Sequence, residues 1–312
     1  MVWRFSSLAV SLPRDLRRVS QFCSTQQLPR CNILAADVIF VERIAVEVDG
    51  DGEPVLMIHG LGGTTNTFTP LLPAFARNKR VRFDLPGSGR SSRVEGELSI
   101  ETFVQSALKV MAAAKVDKAH VVAHSMGTIV AAHLAAAEPG AVKSLALFGP
   151  LLAPPEPARA NIRARAGKAR QEGMQGIADA LLQASVSSET RAKRLAAVAF
   201  VRESLMAQDP DGYARSCEAL ADMQAADTSR IACPTLLVTG EEDVVSPPQS
   251  VRMMGEKIAA NRVEVRVVVL PRCGHWTPVE KPDECIELLK RFYLDANRIR
   301  GQGRNSVYVI SP

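Results

Sequence analysis

Three residue types, in one order along the chain, could carry out nucleophilic chemistry. The first is a serine in Val121-Val122-Ala123-His124-Ser125-Met126-Gly127. An apolar, β-branched run leads into Ser125. The segment 128–138 after it reads as a helix, with Ile129, Val130, Ala131, Ala132, Leu134 and Ala135 on its buried side. A serine at the apex of such a strand–turn–helix is lifted above the sheet edge on a strained turn. Its flanking positions must be small, because strand and helix backbones approach closely there. The usual pattern is G-x-S-x-G, and this chain departs from it only by alanine at 123. Taken alone, the same residues would also suit an ordinary serine cap on a buried helix.

The rest of the chain supplies what a nucleophilic serine needs. Downstream of a strand at 55–58 stands His59-Gly60-Leu61-Gly62-Gly63. A glycine-rich turn leaves N–H groups accessible to a developing oxyanion. The expected donors are the amides of Leu61 and of Met126, the residue after the nucleophile. A strand at 235–238 leads into Gly240-Glu241-Glu242-Asp243-Val244-Val245-Ser246-Pro247. Of its three acids, Asp243 is chosen because the apolar Val244-Val245 suggests a side chain turned inward, with Glu242 as the fallback. A strand at 263–270 leads into Cys273-Gly274-His275-Trp276-Thr277-Pro278. His275 would take the proton of Ser125, and Asp243 would hold its tautomer and stabilise the imidazolium.

Other reactive side chains have plainer roles. His124 reads as a packing or loop-bonding residue, and His120 and His133 as structural. Cys273 has no base of its own. Arg159, Arg163, Arg165, Lys168 and Arg170 form a charge run on a helix whose inner stripe is Ile162, Ala166 and Ala169. That run reads as a solvated face; the competing reading is that one arginine reaches a substrate carboxylate.

These groups must be positioned by alternating strands and helices. A hairpin is expected at 38–48, with a turn signal at Asp49-Gly50-Asp51-Gly52. Further strands are expected at 55–58, 81–85, 121–123, 144–148, 235–238 and 263–270. Helices are expected at 70–76, 100–114 with Ser99 as cap, 249–259 and 282–296. Short apolar strands separated by helices imply a mostly parallel sheet covered on both faces. The segment 151–230 opens with Pro154-Pro155-Glu156-Pro157, is rich in Ala and Arg, and has no strand pattern. It reads as three or four helices inserted as a cap above the carboxyl edge of the sheet, where open α/β sheets bind ligands. The organisation expected is an N-terminal extension at 1–36, a core at 37–150 and 231–296, a helical cap at 151–230, and a tail at 297–312.

Composition narrows the function. The 312 residues are 46% apolar, enough for a large core, and no apolar run is long enough for a membrane span. The net charge of +5 belongs to the ends: 1–36 carries +4 and 297–312 carries +3, leaving 37–296 at −2. This argues against a nucleic-acid surface on the fold. Residues 1–30 are rich in Arg and Ser, with Asp15 the only acid, which is transit-peptide composition and suits the mitochondrial matrix. A plain extension on a cytoplasmic protein is the alternative. Cys23, Cys31, Cys217, Cys233, Cys273 and Cys285 have no metal spacing and read as free thiols of a reducing, intracellular compartment.

From about 38 to 296 the chain resembles the α/β-hydrolases. Four motifs agree in order: His59-Gly60-Leu61-Gly62-Gly63, Asp84-Leu85-Pro86-Gly87-Ser88-Gly89-Arg90-Ser91, Ala123-His124-Ser125-Met126-Gly127, and Gly274-His275. It is more closely similar to the 3-oxoadipate enol-lactonase-like branch. The Ser125-Met126-Gly127 elbow, Leu147-Phe148-Gly149 and the run from Gly274-His275-Trp276 through Glu280-Lys281-Pro282 carry that likeness. The resemblance implies that the 84–91 loop is structural and borders the pocket. It implies a serine hydrolase, without cofactor or metal, acting on a small ester or (enol-)lactone. A serine nucleophile disfavours the aspartate-dependent epoxide hydrolases and haloalkane dehalogenases of this fold. The alternatives are a carbon–carbon bond hydrolase of ring-cleavage diketones and a non-catalytic ligand receptor. The cap has Phe200 and Tyr213 as its only aromatics and offers Leu181, Leu182, Leu205, Met206 and Met223 as lining, which suits a compact acyl group. The oligomeric state is not legible in the sequence.

Overall fold

The computed structural model describes residues 36–299 and 307–310, so the extension expected at 1–36 lies almost wholly outside the described residues. The nine described strands form one sheet in the order β1-β2-β4-β3-β5-β6-β7-β8-β9. They are β1 (Asp37–Val41), β2 (Ile44–Asp49), β3 (Glu53–Ile58), β4 (Asn78–Phe83), β5 (Ala119–His124), β6 (Val142–Phe148), β7 (Thr235–Gly240), β8 (Val265–Leu270) and β9 (Val307–Ile310). The expected hairpin is β1–β2; the β1–β2 and β2–β4 pairings are antiparallel, and every pairing from β4 to β9 is parallel.

Alternation along the strands separates two cores. Leu56, Ile58, Val121, Ala123, Leu145 and Leu147 point to one face of the sheet. Val55, Met57, Val122, Ala146 and Phe148 point to the other. A sheet buried on both faces accounts for the near-continuous apolar strands. The first face is covered by α1 (Ile100–Ala113), α2 (Met126–Ala137) and later α8 (Pro248–Ala259). Ser99 caps α1 through a reciprocal capping box with Thr102. The second face is covered by α10 (Pro282–Ile299), which follows the single-turn α9 (Thr277–Glu280), and by a 3-10 segment, Thr65–Phe75. That segment replaces the helix expected at 70–76. It starts earlier because Thr64 caps it, and Pro70 and Pro73 remove the N–H groups an α-helix would need.

Between β6 and β7 the chain makes five helices rather than three or four. They are α3 (Glu156–Glu172), α4 (Gln175–Ser185), the short α5 (Ser188–Lys193), α6 (Leu195–Met206) and α7 (Pro210–Asp222). Their buried side chains, among them Ile162, Ala166, Ala169, Leu205, Tyr213 and Leu220, join the first core. The 297–312 segment, read from sequence as a tail, instead contributes the end of α10 and the strand β9, whose Val307–Ile310 pairs in register with Val265–Val268. Among the described residues, no helix is long and apolar enough to cross a membrane, and no group of His, Cys, Asp and Glu could hold a metal ion. Cys217, Cys233, Cys273 and Cys285 are buried free thiols.

Candidate active site

Ser125 sits between β5 and α2 with φ 53° and ψ −124°. A non-glycine residue there costs on the order of 1–3 kcal/mol and persists only when its surroundings over-determine it. They do. The Ser125 amide donates to the Phe148 carbonyl at 2.9 Å, and the Ser125 carbonyl accepts from the Thr128 amide at 2.8 Å and from Thr128 Oγ1 at 2.6 Å. A Cβ on Gly127 would lie 2.2 Å from the Ile58 carbonyl oxygen, and one on Gly60 would lie 2.6 Å from Ser125 Cβ. Glycine is therefore required on those two sides of the serine. Ala123 lies in the strand and is fully buried, so a methyl is accommodated where the usual pattern has glycine.

His275 Nε2 lies 2.7 Å from Ser125 Oγ, and its Nδ1 lies 2.8 Å from Asp243 Oδ2. A carboxylate only accepts, so Nδ1 carries the proton and Nε2 presents its lone pair to the serine hydroxyl. Asp243 Oδ1 accepts from the amides of Val245 (2.9 Å) and Ser246 (2.8 Å), and Oδ2 also accepts from Thr239 Oγ1 at 3.2 Å. Burial raises the pKa of this carboxyl; the His275 ring and the two amides more than offset it, holding it below the usual carboxylate range. Of the three acids, Asp243 is the one that meets His275. Glu242 turns away to accept from the Ser188 amide and hydroxyl, and Glu241 accepts from the Arg272 amide. The reason given from sequence was wrong, though. Val244 and Val245 are 67% and 41% exposed, and it is the turn closed by their neighbouring amides that aims Asp243 inward.

The glycine-rich loop is held by His59. The Leu85 amide donates to His59 Nε2 at 2.9 Å, so Nδ1 carries the proton and donates to the Gly60 carbonyl at 2.8 Å. The Gly63 amide bonds the same carbonyl at 3.0 Å. In a trans peptide the carbonyl and the following N–H point opposite ways, so fixing the Gly60 carbonyl also fixes the direction of the Leu61 N–H. Met126 is the first residue of α2, where the amide has no intrahelical acceptor. Both amides thus border the Gly60–Ser125 contact.

Several residues that support this arrangement were given no role from sequence. Gly149, at φ 57°, abuts the imidazole: a Cβ there would lie 2.8 Å from His275 Cε1. Glu280, fully buried, accepts from the amides of Gly274 (3.1 Å) and Trp276 (3.1 Å) on either side of His275, and from the Ser187 amide (2.9 Å) before α5. The His275 amide itself donates to the Ser185 carbonyl at 2.7 Å. From α6, Ser204 Oγ donates to the Gly62 carbonyl at 2.8 Å. The signal for these lay in turns and carbonyls whose partners are remote in sequence. His120 and His133 are structural as expected, bonded to Ser144 Oγ and the Gln224 carbonyl. The Cys273 thiol is pushed far up by burial.

His124 bonds a loop, as expected: its Nε2–H donates to the His275 carbonyl at 2.9 Å. Burial, aided by the neighbouring His275, lowers its pKa from 6.5 to about 3. Burial also lowers His59. In the unfolded chain both would titrate near 6.5, so below that pH the unfolded state binds more protons. Stability should therefore fall as pH drops below about 6.5, by up to about 1.4 kcal/mol per pH unit for each histidine. Urea titrations between about pH 7 and about pH 5 check the sign, and His124→Gln should flatten the slope. A stability that holds level or rises on acidification would refute the buried neutral state.

A family model described as the alpha/beta hydrolase fold matches residues 53–282, spanning the elbow, the acid turn and the histidine loop. The chain belongs to the α/β-hydrolase family. Among its relatives is the (E)-2-((N-methylformamido)methylene)succinate hydrolase of Acinetobacter baylyi, 26% identical over 247 residues, 75% of this chain and 88% of that protein. Another is the 2-hydroxymuconate semialdehyde hydrolase of Pseudomonas sp. strain CF600, 26% identical over 291 residues, 85% and 94% of the two chains. Among solved structures, the enol-lactonase of Burkholderia xenovorans LB400 is similar at TM-score 0.75 and 25% identity, covering 80% of this α/β-hydrolase and 96% of that chain.

Proposed function

We propose that this α/β-hydrolase is a serine hydrolase that cleaves a small carboxylic ester or lactone through an acyl-enzyme. The observation that carries the reading is the pair of bonds from His275, to Ser125 Oγ at 2.7 Å and to Asp243 Oδ2 at 2.8 Å, beneath the strained elbow. Ser125 Oγ attacks the carbonyl as His275 Nε2 takes its proton. The carbonyl oxygen becomes an oxyanion facing the Leu61 and Met126 amides. The tetrahedral intermediate expels the alkoxide, which receives the proton from His275. Water, deprotonated by the same nitrogen, then attacks the acyl-serine and releases the acid. Asp243 stays ionised and balances the imidazolium. The scheme calls for no cofactor.

The five inserted helices act as a cap in this reading. Leu205 of α6 and Tyr213 of α7 press on the loop at Gly62, where an added Cβ would meet them at 2.4 and 3.6 Å. A lid seated that closely on the oxyanion loop favours a compact acyl group. A cavity of about 340 Å³ between the start of α1 and α7, lined by residues including Glu97, Ile100, Arg215 and Met223, contains none of the triad. The likeness to a 2-hydroxymuconate semialdehyde hydrolase favours, as a second reading, hydrolysis of a carbon–carbon bond by the same three side chains.

Kinetics on an acyl-chain series of p-nitrophenyl esters, small lactones and ring-cleavage diketones test both. Short esters and small lactones should turn over, with kcat/KM falling at least tenfold by acyl chains of about eight carbons, because a closed pocket cannot extend without strain. A preference for long chains would sink the closed cap. Turnover of diketones without esterase activity would install the carbon–carbon reading. Binding of small esters with no turnover of any of these would leave a receptor.

A further inference from the structure

Glu280 was given no role from sequence, and its setting is unusual for a carboxylate. It is fully buried at the end of α9, and its side-chain oxygens face backbone amides. Oε1 accepts from Trp276 at 3.1 Å, and Oε2 from Gly274 at 3.1 Å and from Ser187 at 2.9 Å. Taking a carboxylate out of water is unfavourable unless charge-assisted bonds of this kind replace the lost hydration. A serine or asparagine would close a turn without burying a charge.

Two of these amides stand on either side of His275. The His275 amide between them donates to the Ser185 carbonyl at 2.7 Å. The consecutive N–H groups of 274, 275 and 276 are thereby committed, the middle one directly to the inserted helices and the outer two to Glu280. With all of them held, the backbone that carries the imidazole has little freedom to turn. The two bonds of the ring, to Ser125 and to Asp243, depend on its direction.

The other half of this clasp lies between α4 and α5. Ser185 supplies the carbonyl and Ser187 the remaining amide, and the Ser188 amide reaches Glu242 in the acid turn at 2.8 Å. The fit is tight. A Cβ on Gly274 would lie 2.5 Å from the Ser185 carbonyl oxygen, 2.7 Å from the Ser187 nitrogen and 2.8 Å from Glu280 Oε1. The φ of Gly274 is not left-handed, so the glycine before His275 is required by the neighbouring segment and not by the conformation of its own loop. Around the seam, Arg194 donates to the Glu280 carbonyl, and Lys281 pairs with Glu189 of α5 at 2.9 Å.

We infer that Glu280 is a positioning residue for His275, and that it joins the base to the inserted helices, so that the imidazole is aligned only while the 185–188 segment is seated on its loop. The inference rests on the hydrolase reading above and deepens it: the inserted helices then take part in the catalytic geometry as well as roofing it. A misplacement of about 1 Å can cost on the order of 10²-fold in rate. Loss of the clasp should therefore show in kcat while substrate still binds.

Glu280→Gln keeps the shape of the side chain but turns an NH₂ toward an amide N–H, donor against donor. It should lower kcat on p-nitrophenyl acetate by about 10- to 100-fold, with KM changed by less than about twofold. Ser187→Pro breaks the clasp from the other side. Ser187 has φ −60°, and Val186 before it is extended at φ −103° and ψ 135°, so proline suits the backbone while removing the amide that Glu280 accepts. It should lower kcat by a similar factor. Ser187→Ala, which keeps the amide and loses only the hydroxyl that caps Thr190, should not. The double variant Glu280→Gln/Ser187→Pro should lose far less than the product of the two single losses, as expected for one shared device. A Glu280→Gln protein that loses stability but keeps its kcat, or whose KM rises instead, would make Glu280 a scaffold residue and overturn the inference. So would a Ser187→Pro protein indistinguishable from Ser187→Ala, and that pair decides alone if Glu280→Gln fails to fold. Proton NMR separates this from the hydrolase reading. The deshielded Nδ1 proton of His275, bonded to Asp243, should broaden in Glu280→Gln and Ser187→Pro and persist in Ser187→Ala. That response in a protein whose wild type turns over no ester would keep the clasp and refute the esterase. Ester turnover with kcat and the proton signal both indifferent to these variants would do the reverse.

Discussion

Replacing Ser125 by alanine should lower kcat by roughly 10⁴-fold or more while leaving the fold intact. The change removes one atom. Alanine keeps the Cβ that Gly60 is shaped to receive, and the strained φ of 53° is set by backbone bonds to Phe148 and Thr128 that the side chain does not make. The backbone amides of Leu61 and Met126 also remain, and with substrate binding they account for the residual rate. Circular dichroism and thermal unfolding should match the wild type. A fluorophosphonate probe should label the wild type and spare the variant. Labelling that persists would move the nucleophile to another residue.

Asp243→Asn should cost about 10⁴-fold in kcat, and Glu242→Gln little. The amides of Val245 and Ser246 both donate to Asp243 Oδ1, so an asparagine must place its carbonyl oxygen there. Its NH₂ then occupies the position of Oδ2, facing His275 Nδ1. Two donors cannot bond. His275 must move its proton to Nε2, and that nitrogen can no longer accept from Ser125 Oγ. Glutamine at 242 keeps an oxygen for the Ser188 amide and touches none of the triad. Rates that ranked the other way would show that Glu242 orients the base.

The candidate serine and histidine, and the turns that hold them, were legible because each announces itself locally. Ser125 stands between a β-branched run and an alanine-rich helix. His59-Gly60-Leu61-Gly62-Gly63 and Cys273-Gly274-His275 each follow a short apolar strand. Period-two and period-3.6 patterns do not depend on remote partners, so the sheet, its parallel pairing and the inserted helices followed from them. Asp243 does meet His275, but the reason given for choosing it failed, since its orientation comes from an Asx turn that side-chain hydropathy does not encode.

What the sequence by itself determined, then, was the family, the parallel sheet with helices on both faces, and the choice of Ser125, Asp243 and His275 as candidates. Only the tertiary structure decided how those residues are held. Glu280 ties the loop around His275 to the backbone before α5, 93 residues earlier. Gly149 makes room for the imidazole, and His59 aims the Leu61 amide through the Gly60 carbonyl. It alone set Arg159 and Arg165 of the basic run apart from the exposed Arg163, Lys168 and Arg170. Strand β9, too, appears only as a partner of β8. The physical reason is common to all of them. A backbone amide, a carbonyl or a buried charge has no preference of its own for a partner far along the chain, and the fold supplies that partner only once the layers have packed.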